Sequence, residues 1–299
     1  MHAMKATRVM WSALLVLVAA GCGGPELRSV EAAGISISYL ERPAKGPLVI
    51  LLHGFPDSPH TWDAVSARLN ERGYRTVAPY LRAYPPTAIP PQDTTITQLG
   101  LDVIALMDAL HEDKAILIGQ DWGAIAAYAA SNFAPERISR LVTIAIPHPV
   151  ALAMHPEAFS SSPHFATFAQ PDAPEHFRAN DFAELDSTLA LWSPTWSFPA
   201  AEVAAVKESF SKPGVLEAVL GYYRAAATQD PDPALYQPTS VPALTLYGTR
   251  DGALSNVPFA DQQAGFTVPV RVVSLEAGHF VHREREAETV NEILSFLAE

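Results

Sequence analysis

The sequence predicts an α/β fold, in which a mostly parallel β-sheet has helices on both faces and is interrupted by an inserted helical cap. Apolar strand patterns alternate with helical patterns over the first half of the chain. The composition then becomes rich in aromatic residues, proline and histidine over residues 150–236, and strand patterns return after residue 237. Strands that alternate with helices form a largely parallel sheet, because the crossover helices cover both of its faces.

The first half of the chain contains the alternating strand and helix patterns. The strand patterns are I-S-I-S-Y-L, L-V-I-L-L, R-T-V-A-P-Y, K-A-I-L-I-G and R-L-V-T-I-A-I. The helical patterns span residues 59–72, 97–111 and 123–132. The first strand alternates between apolar and polar residues, which is typical of a sheet edge. The second is continuously apolar, so we expect it to be buried on both faces.

The second half of the chain contains the cap and the end of the sheet. Residues 150–236 show helical patterns and no convincing strand, so they are expected to form the cap. A-L-T-L-Y-G and V-R-V-V-S-L are strand patterns, and an amphipathic helix closes the chain. Residues 23–149 and 237–299 are therefore expected to form one core. Three aromatic residues are expected to pack inside the cap itself: Trp192, Trp196 and Phe198.

Residues 1–22 have the features of an export signal. Two positive charges precede an apolar run of about a dozen residues, which is shorter than the roughly 20 that a membrane-spanning helix needs. L-V-A-A-G-C resembles the bacterial lipobox, so Cys22 is predicted to be acylated; cleavage without a lipid and an uncleaved anchor are the alternatives. We therefore expect a protein that is exported or lies in the bacterial cell envelope, anchored by a lipid at Cys22.

Charge and composition exclude several classes of partner. The net charge is −12 and no block of lysine or arginine is present, which argues against binding to nucleic acid. The cap histidines lack the spacing of a metal site, so no metal is predicted, and no cofactor is predicted either. These histidines are His148, His155, His164 and His176.

The segment G-Q-D-W-G at residues 119–123 carries the first indication of chemistry. It follows a buried strand pattern and precedes a helical one, which is the position of a nucleophile elbow with aspartate in place of serine. The two glycines permit a turn too sharp for side chains and leave Asp121 exposed to a substrate. The alternative is that Asp121 simply caps the helix.

Three further segments favour the catalytic interpretation. L-V-I-L-L ends in H-G-F-P, A-L-T-L-Y ends in G-T-R-D, and the last strand ends in E-A-G-H-F. All of these loops are expected at the carboxyl edge of the sheet, where such folds build their sites. Asp251 and His279 then follow Asp121 in the chain order of elbow-type hydrolases, and the backbone N–H groups of Phe55 and Trp122 are predicted to form the oxyanion hole.

These motifs together resemble those of α/β-hydrolases in the epoxide hydrolase and haloalkane dehalogenase group, which use an aspartate nucleophile. The matching segments are H-G-F-P-D-S-P-H-T-W, G-Q-D-W-G-A, I-P-H-P, G-Y-Y-R-A, G-T-R-D and A-G-H-F. The resemblance implies the α/β-hydrolase fold, no cofactor, and an alkyl-enzyme ester on Asp121. His279 would activate the hydrolytic water and Asp251 would orient the imidazole.

The cap and the elbow contain the residues that would bind the substrate and its leaving atom. Tyr223 matches the Tyr-Arg motif of epoxide hydrolases, whereas Phe165 stands where the group has its other tyrosine, five residues before Gln170. His164 is the candidate replacement for that hydroxyl. Trp122 offers an indole N–H that would suit a halide. The predicted substrate-binding residues are, taken together, His53, Trp122, His164 and Phe165.

The leading prediction is an epoxide hydrolase that converts a small apolar epoxide and water into a vicinal diol. Two alternatives stay open: a haloalkane dehalogenase that uses the same residues on an organohalide, and a protein that binds a small apolar ligand without turning it over. Small haloacids are disfavoured, because the segment after Asp121 contains no arginine to hold a carboxylate.

Overall fold

A computed structural model describes residues 24–92, 94–160, 162–228 and 232–299 of the chain. The predicted export signal and Cys22 lie outside these residues, so the anchor stays a prediction. Within the described ranges, no helix has both the length and the apolar character needed to cross a bilayer.

The protein is built on a sheet of eight strands. These are β1 (Glu26–Ala32), β2 (Ile35–Arg42), β3 (Leu48–Leu52), β4 (Arg75–Pro79), β5 (Ala115–Gln120), β6 (Ile138–Ile144), β7 (Ala243–Gly248) and β8 (Val270–Leu275). Their order across the sheet is β1-β2-β4-β3-β5-β6-β7-β8. The pairs from β4 to β8 are parallel, while β2 runs antiparallel to both β1 and β4. The predicted α/β fold with a mostly parallel sheet is confirmed.

Strand β1 was not predicted, and β2 is not the edge that its alternation indicated. β1 is polar and largely exposed, so it has no hydrophobic pattern of its own. It forms because a tight turn at Ala33 and Gly34, both with positive φ, pairs it with β2 from Ala32 opposite Ile35. Such two-residue turns require positive φ at both positions and match the twist of a hairpin. β2 thereby lies between two strands and is buried over most of its length.

Helices cover both faces of the sheet and form the cap. They are α1 (Asp63–Glu71), α2 (Ile96–Ala109), α3 (Trp122–Phe133), α4 (Pro149–Ala153), α5 (Glu157–Ser160), α6 (His164–Phe168), α7 (Ala173–Trp192), α8 (Ala200–Ser211), α9 (Val215–Thr228), α10 (Val281–Glu284) and α11 (Glu286–Leu297). Short 3-10 helices are formed by Pro59–Trp62, Pro135–Arg137, Pro233–Tyr236 and Val257–Gly265.

Successive side chains of β3 point to opposite faces and divide the core into two layers. Ile50 and Leu52 pack with α2 and α3, whereas Val49 and Leu51 pack with α1 and α11. This alternation follows from the two-residue period of a strand, and it explains why a continuously apolar segment is needed where both faces are covered.

Helices α4 to α9 lie between β6 and β7 in the chain and cover the carboxyl edge of the sheet. The aromatic residues predicted to pack inside the cap also contact the core where the cap meets it. Phe198 and Trp196 have ring centroids 4.8 and 6.1 Å from that of Phe280, and Trp192 lies 5.0 Å from His279. The prediction for these residues is right only in part, since Trp192 also lies 4.8 Å from His164 of the cap. Composition does not tell whether a cap side chain faces its own helices or the loops beneath.

Helix α3 approaches the end of β3 with no side chain between them. A Cβ atom at Gly123 would lie 2.1 Å from the carbonyl oxygen of Leu52, and one at Gly119 would lie 2.2 Å from the carbonyl oxygen of Gly123. Both neighbours are backbone atoms, so they cannot move aside as a flexible side chain could. This contact fixes the position of α3, and of Asp121 before it, relative to the end of β3.

Replacement of Gly123 by alanine is expected to lower the free energy of unfolding by about 3 kcal/mol or more, because the added methyl group must displace the backbone of β3. Gly24→Ala is the control, since a Cβ there meets nothing within 4 Å. Urea unfolding of both variants measures the difference. Equal stabilities for the two variants would show that the elbow adapts to the added methyl group.

Candidate active site

The predicted nucleophile, acid and histidine come together at the carboxyl edge of the sheet. His279 Nδ1 lies 2.9 Å from Asp251 Oδ2, and His279 Nε2 lies 3.5 Å from Asp121 Oδ2. The exposed fractions of the three side chains are 0% for His279, 1% for Asp251 and 10% for Asp121. Loops that follow three different parallel strands thus form one buried cluster of charged groups beneath the cap.

Asp121 occupies the elbow between β5 and α3 in a strained conformation, with φ 52° and ψ −123°. Its backbone carbonyl accepts from the N–H groups of Ala124 and Ile125, while its side chain makes no capping hydrogen bond to the helix. The side chain instead points to the loop after β3, where a Cβ on Gly54 would lie 2.4 Å from its own Cβ. The capping interpretation of this aspartate is therefore not supported.

Of the two predicted oxyanion residues, Phe55 contacts the Asp121 carboxylate directly. The backbone N–H of Phe55 donates to Asp121 Oδ1 at 2.8 Å, and Trp122 contributes the first backbone N–H of α3. The N-terminal end of a helix carries partial positive charge, which also favours a carboxylate here. The Phe55 ring is held by cap aromatics, with Tyr223, Phe168 and Phe210 at centroid distances of 5.6, 5.5 and 5.8 Å.

The electrostatic state of His279 depends on the two carboxylates beside it. Burial lowers the pKa of the imidazole, but the charges and contacts of Asp251 and Asp121 outweigh burial and raise this pKa from 6.5 to about 10. The imidazole is therefore charged at neutral pH while both carboxylates are present. Among the described residues, Nε2 of His279 has no hydrogen-bond partner, so this atom is available to a reactant such as water.

Tyr223 forms the wall of the site opposite the sheet. Burial raises the pKa of its phenol well above 10, the Asp121 charge raises it further, and a side-chain hydrogen bond from Trp122 partly opposes this rise. The phenol is therefore protonated and able to donate. Its ring lies 5.1 Å from the Trp122 ring. The adjacent Tyr222 points elsewhere, since its hydroxyl donates to the carbonyl oxygen of Arg82 at 2.6 Å.

His164 and Phe165 lie on α6 beside Tyr223. The centroid of the His164 ring is 4.8 Å from that of Trp192 and 6.2 Å from that of Tyr223. Burial lowers the pKa of His164 to about 4; the Asp121 charge opposes this shift and the His279 charge adds to it, so the ring is neutral and carries one N–H. The Phe165 ring lies 6.2 Å from that of Tyr223 and lines a cavity. An apolar ring therefore occupies the position at which the family resemblance implies a second tyrosine hydroxyl.

A cavity of about 380 Å³ extends from Trp122 and Tyr223 between the core and the cap. Its walls include Ile125, Leu152 and Phe165, and none of the described residues that line it is charged. Pockets of this size hold small organic molecules. The cavity therefore matches an apolar molecule better than a carboxylate.

His53 does not lie where a substrate could reach it, and its predicted role in substrate binding is corrected. The side chain is fully buried, and burial lowers its pKa to about 4. Its Nε2 accepts from the N–H of Leu81 at 3.1 Å, so Nδ1 carries the proton and donates to the carbonyl oxygen of Gly54 at 2.9 Å. His53 therefore shapes the loop that presents the Phe55 N–H.

The sequence did not predict that Trp192, at the end of α7, packs against His279. No local signal marks this tryptophan, because its position depends on how the cap folds back onto the core. Within the described ranges, no group of three or more histidine, cysteine, aspartate or glutamate residues is arranged to hold a metal ion.

Comparison with known proteins agrees with this geometry. The alpha/beta hydrolase fold family matches residues 47–285. The AB hydrolase superfamily protein YfhM of Bacillus subtilis is 32% identical over 84% of this chain and 90% of its own length. The epoxide hydrolase of Caballeronia sordidicola is 28% identical over 92% of this chain and 94% of its own length.

The crystal structure of an epoxide hydrolase from Vigna radiata superposes with a TM-score of 0.76 and 27% identity, and covers 92% of this chain and 98% of that one. The resemblance that the motifs carry is thereby confirmed at the level of sequence and of fold. The chain belongs to the α/β-hydrolase fold family.

Proposed function

We propose that this enzyme hydrolyses small apolar epoxides to vicinal diols through an ester on Asp121. One observation carries the proposal: the Asp121 carboxylate has the Phe55 N–H on one oxygen and His279 beside the other, with the protonated Tyr223 near it. Similarity to epoxide hydrolases of Caballeronia sordidicola and Vigna radiata supports the same activity.

In the first step, Asp121 Oδ2 attacks one carbon of the epoxide, because Oδ1 is occupied by the Phe55 N–H. The new bond joins Oδ2 to that carbon while the carbon–oxygen bond of the ring breaks. The oxygen that leaves carries the electron pair and needs a proton. The Tyr223 hydroxyl and the His164 N–H are the donors near Asp121 that are suited to this oxygen.

Formation of the ester changes the state of His279. The negative charge of Asp121 disappears, and with it one of the interactions that raise the pKa of the imidazole. Burial then opposes Asp251 alone, so the imidazole releases its proton more readily. The proton lost by His279 matches the one gained by the ring oxygen, and Tyr223 returns to its protonated state. The ester thereby generates its own general base.

In the second step, neutral His279 removes a proton from a water molecule that attacks the ester carbonyl carbon, Cγ of Asp121. Negative charge develops on Oδ1, which already accepts from the Phe55 N–H, and the first N–H of α3 is the proposed second donor to it. The bond between Cγ and Oδ2 breaks, and the departing oxygen takes the second proton of the water to give the diol. Asp121 is again a carboxylate and keeps an oxygen from the water. Asp251 stabilises the imidazolium through its contact with Nδ1.

A single turnover in ¹⁸O-labelled water tests the ester. With enzyme in excess over styrene oxide, the diol is expected to carry unlabelled oxygen at the attacked carbon, and the label is expected in the Asp121 carboxylate, as peptide mass spectrometry would detect. Asp121→Asn is expected to lose turnover apart from slow recovery by deamidation. Label appearing in the diol during the first turnover would mean that water attacks the epoxide directly.

The raised pKa of His279 predicts a pH dependence of stability. A histidine whose pKa rises from 6.5 to about 10 on folding stabilises the folded state fully below pH 6.5, and this contribution is lost as pH rises through about 10. The free energy of unfolding of the wild-type protein is therefore expected to fall more steeply between these values than that of His279→Gln. Urea unfolding across this range compares the two slopes, and equal slopes would contradict the charged state.

Variants of Tyr223 and His164 test whether these residues donate to the oxygen that leaves. Tyr223→Phe and His164→Phe are each expected to slow the opening of styrene oxide by about 100-fold or more, because a donor to the ring oxygen is lost. Tyr222→Phe is the matched control on the same helix, since that hydroxyl faces Arg82 and not the cavity. Rapid-quench measurement of ester formation gives the rates.

The same preparations incubated with 1-bromobutane test the alternative leaving group. Release of bromide without any diol from epoxides would replace the proposal with hydrolytic dehalogenation, in which the Trp122 indole would hold the halide. Unchanged epoxide opening in Tyr223→Phe would remove that residue from the mechanism.

A further inference from the structure

We infer that Ser193 and Glu284 are positioning residues for hydrolysis of the ester, since they hold the loop that carries His279 against the end of cap helix α7. The inference rests on the proposed function, because it assigns this pair to the second of the two steps. Neither residue touches Asp121, and both act through the backbone around His279.

The end of α7 is in direct contact with the loops that carry the acid and the base. The carbonyl oxygen of Trp192 accepts from the N–H of Gly252 at 3.2 Å and from the N–H of His279 at 3.0 Å. A Cβ at Gly278 would lie 2.4 Å from the Cα of Ser193, so the two segments touch without a gap. The end of α7 therefore contacts both loops, which are also joined to each other by the N–H of Arg250 and the carbonyl oxygen of Ala277.

Ser193 uses every hydrogen-bonding position of its hydroxyl in this contact. Its Oγ accepts from the N–H of His279 at 3.0 Å and from that of Phe280 at 3.3 Å, and its proton is donated to Glu284 Oε1 at 2.7 Å. The side chain is fully buried. A hydroxyl has two acceptor positions and one donor, so all three are occupied.

Glu284 completes the arrangement from the other side of the loop. Its Oε1 accepts from Ser193, while its Oε2 accepts from the N–H of Gly278 at 2.9 Å and from the hydroxyl of Thr195 at 2.6 Å. Every group that faces this carboxylate is thus a donor. An amide of the same shape would direct its NH₂ group at one of these donors, so Glu284→Gln tests charge and acceptor capacity with little change in volume.

The two chemical steps depend on this arrangement to different degrees. Ester formation uses Asp121, Tyr223 and His164, which are held by the elbow and by helices α6 and α9. Ester hydrolysis needs Nε2 of His279 at a fixed distance from a water molecule, and a misplacement of about 1 Å lowers such rates by about 100-fold. A loosened loop is therefore expected to slow the second step much more than the first, in which His279 only releases its proton.

The experiment is a single-turnover comparison of wild type, Glu284→Gln and the control Glu288→Gln with styrene oxide, in which intact-mass measurements follow the ester and chromatography follows the diol. Glu288 is exposed on α11, with only a 4.0 Å contact to Arg285. We expect ester hydrolysis to slow by about 10- to 100-fold in Glu284→Gln, with ester formation changed by less than about 3-fold. The ester therefore accumulates in that variant and not in the control.

Ser193→Ala is a second variant that tests the same network in case Glu284→Gln does not fold. It is expected to slow ester hydrolysis in the same way, and the double variant is expected to be no slower than the worse single variant, because both side chains belong to one network. Equal slowing of both steps, or unchanged hydrolysis, would overturn the inference. If wild type gives neither ester nor diol, the proposed function fails instead.

A measurement without substrate tests whether Glu284 positions His279 even if the wild type gives neither ester nor diol. The pKa of His279, measured by NMR of its ring proton, is expected to decrease in Glu284→Gln, because a displaced loop lengthens the contact between Nδ1 and Asp251 Oδ2. An identical titration in wild type and Glu284→Gln would mean that Glu284 does not position the histidine.

Discussion

Two backbone segments meet at the elbow with no side chain between them, and the geometry of the site follows from this contact. Gly123 places α3 directly on the end of β3, and Gly54 leaves room for the Asp121 side chain beside the same strand. The Phe55 N–H can therefore reach Oδ1 at 2.8 Å. The strain of a positive φ at Asp121 is balanced by close packing on both sides, so the carboxylate has a fixed orientation before any substrate arrives.

Charge within this rigid frame connects the two steps of the proposed reaction. The free site holds an imidazolium between two carboxylates, and its state depends on both of them. Alkylation of Asp121 would neutralise one carboxylate and thereby convert the imidazolium into a base. A mostly apolar cavity beside Trp122 and Tyr223 keeps these electrostatic effects strong, because little polar surface screens them there.

Local sequence patterns predicted most of the parallel sheet and the residues that meet at its edge, because apolar strands and glycine-flanked turns depend on near neighbours. Strand β1 escaped prediction since it is held by pairing with β2 and not by its own apolar residues. His53 was assigned to the substrate from its place at a strand end, although backbone groups occupy both of its ring nitrogens. The contacts of Trp192 join distant parts of the chain, and a linear pattern cannot reveal them.

The attachment of α7 has a consequence for how molecules enter and leave. Besides its two chain connections, the cap is joined to the core by hydrogen bonds, among them those that the carbonyl oxygen of Trp192 accepts from both Gly252 and His279. Opening the cap as a hinged lid would therefore break hydrogen bonds of the loop that carries His279. A substrate that enters while these bonds stay in place would reach the cavity past its lining residues, which include Phe159 and Tyr236.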